Sequence, residues 1–187
     1  GLFTDAKASD SQRAALMMSA NNALNHSPPT NWKCYTAAGK NAAYYSNLAL
    51  GAYGFDAIDL YMDDPGAGNG AVGHRRWLLF PPQVNVATGD IPSGSSPSAN
   101  ALWVAGPHGT RPATPDGVAW PPRGYVPLEL FPSSRRWSFG LPGANFAGAN
   151  VTMTVNGSPL AATVISRTDN GYGDNTIVWS LPAGHTV

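Results

Sequence analysis

The chain has 187 residues, 43% of them hydrophobic and only 12% charged, about half the globular norm of roughly 25%. Eleven Lys and Arg balance eleven Asp and Glu, so no net field exists to recruit nucleic acid or an anionic membrane. The length suits one large domain or two small ones, each able to bury a core. The 21 Gly and 17 Pro imply many turns and long irregular connections.

Residues 9–25 predict a helix capped by Ser9 or Asp10, with Ala14, Met17, Met18 and Leu24 approximating one face. Pro28-Pro29 stops it, because the residue before a proline disfavours the α region. Cys34 is the only cysteine, so no intrachain disulfide exists. Between Trp32 and Tyr35 it reads as a small buried, reduced and unreactive hydrophobe. A second, weaker helix is predicted over 39–50 and a third over 55–62, where Ile58, Tyr61 and Met62 fall at i, i+3 and i+4. Asp63-Asp64-Pro65-Gly66 breaks the third. Residues 71–80 open with a glycine-rich turn and end in Trp77-Leu78-Leu79-Phe80, a short apolar run that suits a buried strand.

Residues 81–132 change character. Pro81-Pro82, Ser93-Gly94-Ser95-Ser96-Pro97 and Pro121-Pro122 punctuate short apolar pieces such as Leu102-Trp103-Val104. This predicts a long, partly ordered connection, because Trp103 and Trp120 are costly to leave in water. Residues 134–187 read as β. Alternation over 150–155 and 160–166 flanks Asn156-Gly157, the strongest short hairpin signal, and a further strand is predicted over 176–181. The expectation is a meander within an Ig-like sandwich.

Four histidines carry the candidate chemistry: His26, His74, His108 and His185. His26 ends a predicted helix, and His74 stands in Gly73-His74-Arg75-Arg76-Trp77. Asp63 and Asp64 precede His74 by about ten residues, so one loop brings a carboxylate near it. Two imidazoles and a carboxylate are a Zn²⁺-type donor set. Glu129 is the only glutamate, so acid–base chemistry in the first half rests on Asp or His. No nucleophile elbow, P-loop or dinucleotide fingerprint is present. Asp169, Asn170, Asp174 and Asn175 crowd one turn without the Ca²⁺-loop pattern. Asn25, Asn150 and Asn156 each open a glycan-acceptor triplet.

Five segments in order carry a family resemblance: Ala14-Ala-Leu-Met-Met-Ser-Ala-Asn-Asn-Ala-Leu-Asn-His26-Ser-Pro-Pro29, Trp32-Lys-Cys-Tyr35, Ser46-Asn-Leu-Ala-Leu-Gly51, Ala57-Ile-Asp-Leu-Tyr-Met-Asp-Asp64, and Val72-Gly-His-Arg-Arg-Trp-Leu-Leu79. Together they resemble the bacterial branch of the CAP (SCP-like) superfamily, which includes cysteine-rich secretory proteins, antigen 5 and pathogenesis-related proteins. The resemblance covers about residues 10–90. It implies a CAP-like α-β-α sandwich over 1–90; with the Pro/Gly/Ser-rich connection read over 91–133 and the Ig-like β-sandwich segment over 134–187, the expected fold class is α+β. The resemblance also implies a cleft in which His26 and His74 match the family's two histidines, Asp64 its second acid and Asn47 the place of its first. His26, His74 and Asp64 would then hold Zn²⁺.

The chain opens at Gly1-Leu2-Phe3, where the family's first helix would already have ended, and three predicted strands are few for a closed sandwich. The expectation is a segment of a longer protein, lacking that helix and with an incomplete β part, or a chain completed by a partner. The function implied is a non-enzymatic binding or interaction module, secreted or at the cell surface, for a lipid, glycan or protein ligand. No nucleic-acid partner and no transmembrane segment are expected. Two alternatives stand beside it: a metal-dependent hydrolase centred on His26, His74 and Asp64, and a structural protein that self-assembles through β edges.

Overall fold

The computed structural model describes residues 5–94, 96–114, 116–169 and 173–182. Among these, four α-helices and nine strands, paired antiparallel throughout, make a mixed α+β chain. Contacts divide it into two compact units interleaved along the sequence, 1–61 with 82–111 and 62–81 with 112–187.

The first unit contains helices α1 (Asp5–Asn21) and α2 (Ala37–Tyr44) and most of α3 (Phe55–Asp63). Helix α1 buries Ser11, Ala14, Ala15 and Met18 at i, i+3, i+4 and i+7, with Met17 and Ser19 buried beside this stripe. It stops at Asn21, earlier than the proline pair predicts. Asn22 turns left-handed (φ 47°), the Asn22 amide donates to Ser19 O, and the Ala23 amide donates to Met18 O. That is a Schellman stop, in which asparagine replaces the usual glycine. Leu24 therefore falls outside the helix and is exposed.

The stretch predicted as one helix over 39–50 is two elements. Thr36 caps α2 by accepting the Gly39 amide at 2.9 Å. Strand β1 (Ser46–Leu50) then pairs with β3 (Ala99–Trp103), which also pairs with β2 (Ala87–Ile91), giving the order β1-β3-β2. Short apolar runs do not declare their period, and pairing decided this one. Residues 99–103 fall within the predicted connection, yet form the central strand, with all five residues buried. The core is rich in alanine: Ala14, Ala15, Ala42, Ala43, Ala87, Ala99 and Ala101 cluster with Met18, Leu48 and Trp103. Small side chains let helix and sheet approach closely. At Gly89 on β2 they leave no room for a Cβ, which would lie 2.1 Å from the Gln12 backbone nitrogen of α1.

The opposite face of this sheet carries a polar network beside Leu102 and Ala49. Tyr61 of α3 donates to Asn100 Oδ1 at 2.8 Å, and Asn100 Nδ2 donates to Asp90 Oδ1 (2.8 Å) and Thr88 Oγ1 (2.9 Å). Asp90 Oδ1 also accepts the Gly54 amide at 2.7 Å, which ties the loop before α3 to β2. Burial, reinforced by the charge of Asp90, pushes the Tyr61 phenol far above its ordinary value.

The second unit is built on a four-stranded sheet of β4 (Val118–Trp120), β5 (Arg136–Gly140), β9 (Thr176–Ser180) and β8 (Thr163–Thr168), in that order. Strand β9 inserts between β5 and β8, so the sheet is not the simple meander expected. Strands β6 (Met153–Val155) and β7 (Ser158–Leu160) form a hairpin at the predicted Asn156-Gly157 turn, but its second strand is not the one expected: most of residues 160–166 lie in β8, which pairs with β9. The turn residues Asn156 (φ 50°) and Gly157 (φ 79°) are both left-handed, as an Asn-Gly turn requires. Phe131, Trp137 and Trp179 pack in series on the sheet. Helix α4 (Gly73–Leu78) stands where a strand was predicted. The Asp64 carboxylate accepts amides of its first turn, a signal that lies outside the apolar run itself.

Candidate functional site

The candidate site in the second unit is made by the segment joining α3 to α4. Asp64 leaves α3 in a left-handed conformation (φ 49°), and its side chain is fully buried. Oδ2 accepts the backbone amides of His74 (2.9 Å) and Arg75 (3.4 Å), and Oδ1 accepts His74 Nδ1 at 2.8 Å. A carboxylate can only accept here, so Nδ1 carries the proton of this bond. The His74 side chain is 28% exposed. The loop carboxylate expected near His74 is therefore Asp64, ten residues upstream.

Asp64 is itself held by a frame of polar groups. Arg75 is wholly buried. Its Nε donates to Met62 O, its Nη2 to Asp63 O at 3.1 Å, and its Nη1 to Arg136 O at 2.8 Å and Ser138 Oγ at 3.2 Å. Burial lowers the Arg75 pKa to about 10; the charges of Asp64 and Asp63 oppose that shift, and Arg136 adds to it. Arg136 donates to the carbonyls of Asp64, Gly66 and Asn69. The Asp63 carboxylate accepts from the Ser133 hydroxyl and, at 2.8 Å, from the Ser134 amide. Burial also lowers the Arg76 pKa, opposed by Asp174, and Arg76 Nη2 donates to Asp174 O at 3.0 Å.

Arg75 and Arg136 did not emerge as site residues from the sequence, which offered Asp63 only beside Asp64 as a carboxylate for His74. The available signal was two consecutive arginines beside a histidine in an apolar stretch of a lightly charged chain. A cavity of about 20 Å³ bordered by Arg76, Phe80, Ser138 and Thr176 has room for a water-sized group. Ligand pockets for organic molecules run to about 300 Å³ or more, so this cavity is not one.

His26 and Asn47 belong to the first unit. His26 is exposed, and its Nδ1 donates to Ala43 O at 2.8 Å. Both histidines thus have the Nδ1–H anchored, as metal-binding imidazoles commonly do. Asn47 is buried in β1 opposite Leu102. Among the described residues no group of three or more His, Cys, Asp or Glu is placed to hold a metal ion. The buried Asp64 carboxylate, with three N–H donors on it, fits the part of orienting His74.

Three other expectations meet the structure. Cys34 is exposed, not buried: it sits in a turn at φ 60°, which sends the thiol outward while Trp32 packs on the core. His185 and Asn170 lie outside the described residues. Asp174 and Asn175 serve the fold, through Asp174 O, which accepts from Thr176 Oγ1, and Asn175 Nδ2, which donates to Ala144 O.

No protein-family model, curated protein or solved structure matches this chain.

Proposed function

We propose that the chain is a non-enzymatic binding module of the CAP (SCP-like) type, secreted or at the cell surface, in which Asp64 orients His74 so that its Nε2 edge meets a ligand. The observation that carries this reading is the state of Asp64. Both its oxygens are engaged and its side chain is buried, so it is spent as an orienting group and does not serve as an acid or base. Asn47, where the family resemblance places an acid, is an amide and takes no proton. Supporting the CAP-type reading, the first unit carries α1 and α2 on one face of its antiparallel sheet and contacts α3 through Tyr61 on the other. The second unit, with its four-stranded antiparallel sheet and separate hairpin, supports the Ig-like reading of the β part. A lipid, glycan or protein is the ligand class. No helix among the described residues is long and apolar enough to cross a membrane.

The hydrolase alternative draws on the same pair, since an aspartate-oriented histidine is also the base half of many hydrolytic sites. A panel of peptide and ester substrates with added Zn²⁺ separates the two readings. The expected result is no turnover. Turnover lost in both His26→Ala and His74→Ala, with folding intact, would establish the hydrolase instead. Self-assembly through the second sheet is disfavoured by its edges. Strand β4 is three residues long and runs into Pro121-Pro122, and β8 carries an irregularity between Val164 and Ser166. Short edges, prolines and bulges are the usual protections against strand addition.

A further inference from the structure

The geometry points to Arg136 as a positioning residue for His74, acting through Asp64 across 72 residues of sequence; the inference deepens the reading of His74 as the ligand-facing group. Arg136 opens β5. Its Nη1 donates to Asp64 O and, at 3.3 Å, to Asn69 O, and its Nη2 donates to Gly66 O at 2.6 Å. These three carbonyls belong to the loop between α3 and α4, which closes one short turn on itself through Asn69 Nδ2 to Pro65 O, the Asn69 amide to Gly66 O and the Val72 amide to Asn69 O, and which Arg136 ties to β5. Asp64 (φ 49°) and Gly66 (φ 92°) are both left-handed, and left-handed backbone is costly for a residue with a Cβ. Gly66, Gly68 and Gly70 add conformational freedom that folding must remove.

The backbone angle at Asp64 sets the direction in which its side chain leaves the chain. A grip on the Asp64 carbonyl is therefore a grip on the carboxylate that fixes the His74 ring. The frame is tied from both ends, because Arg75 binds Met62 O and Asp63 O on one side and Arg136 O on the other. Arginine suits this role because its planar fork presents several donors at fixed angles; a lysine ammonium is a point charge on a flexible stem. When Arg136 lets go, the loop relaxes toward commoner backbone angles, the carboxylate swings from the first turn of α4, and His74 loses its Nδ1 partner.

The test uses the full chain with ¹⁵N-labelled histidine at a single pH, the His74 signals being assigned by their loss in His74→Gln. Wild type should show the Nδ1–H tautomer, and Asp64→Ala defines the displacement of the ring shifts when the carboxylate is gone. Arg136→Ala and Arg136→Lys should each move the His74 shifts at least half as far in the same direction, with near-ultraviolet circular dichroism retained. Arg167→Ala removes a guanidinium that holds Ala149 O elsewhere in the same unit and should leave them in place. Unchanged His74 shifts in the folded Arg136 variants would overturn the proposal. Should Arg136→Ala fail to fold, Arg136→Lys, which keeps the stem and the charge, decides by the same criterion. The readout contains no ligand, so its failure is distinct from failure of the binding reading, which the substrate panel tests.

Discussion

Gly89→Ala is the sharpest test of how the first unit is packed. An added Cβ would stand 2.1 Å from Gln12 N, 2.2 Å from Ser11 C and 2.4 Å from Gln12 Cα. All three are backbone atoms of α1, so no side chain can rotate away, and the helix must retreat by more than about 1 Å to reach ordinary carbon contact near 3.5 Å. Retreat breaks a second contact at the same place. Gln12 Nε2 donates to Asp90 O at 2.8 Å, and Gln12 Oε1 accepts the Asp90 amide at 2.9 Å, so this side chain closes the outer edge of β2. Overpacking a tight site costs about 1–3 kcal/mol, and two lost hydrogen bonds add about 0.5–1.5 kcal/mol each. The sum, about 2–6 kcal/mol, is a large part of a typical domain stability of about 5–15 kcal/mol. Urea unfolding followed by fluorescence should show it, because Trp103 lies in the core cluster beside α1, with Lys7 of that helix 4.9 Å from its ring centroid. Gly94→Ala, where an added Cβ meets nothing within 4 Å, is the control and should shift stability by less than about 0.5 kcal/mol. A Gly89→Ala protein as stable as wild type would refute the close packing of α1 on β2.

Arg75→Met should destabilise the second unit by about 3–5 kcal/mol, because it strands the acceptors on Met62, Asp63, Arg136 and Ser138 and leaves the buried Asp64 without its neighbouring cation. Denaturation read by Trp137 and Trp179 measures it, and a loss below about 1 kcal/mol would contradict the frame around Asp64. Tyr61 links stability to alkaline pH: its folded pKa lies above the unfolded value of 10.0, so the folded state holds the proton longer. The stabilisation is complete below about pH 10, and stability then falls by up to about 1.4 kcal/mol per pH unit. Tyr61→Phe should flatten that slope while costing about 1–2 kcal/mol at neutral pH through the lost bond to Asn100; an unchanged slope would exclude Tyr61 as its source. Cys34 should react stoichiometrically with a thiol reagent in the folded protein, because it is exposed, whereas labelling that waits for unfolding would show the thiol to be shielded.

Local chemistry was legible wherever a few neighbouring residues settle the outcome. Asn156-Gly157 announced its hairpin because only a left-handed pair closes that turn. Helix α3 matched its prediction within a residue or so because Asp63-Asp64-Pro65-Gly66 cannot continue it. Asp64 was legible as a partner for His74 because a ten-residue loop can return on itself. Tertiary structure decided everything that depends on a distant partner. Residues 46–50 and 71–80 are short segments of no clear period; the first became a strand by pairing with 99–103, and residues 73–78 of the second became a helix whose first amides Asp64 accepts. The central strand β3 was hidden among prolines and serines because its burial comes from β1 and α1, which lie far away in sequence, as well as from its neighbour β2. Arg136 meets the loop around Asp64 for the same reason. Hydrogen bonds between residues some seventy positions apart leave no periodicity in a sequence, since the chain's path, and not its local pattern, brings donor and acceptor together.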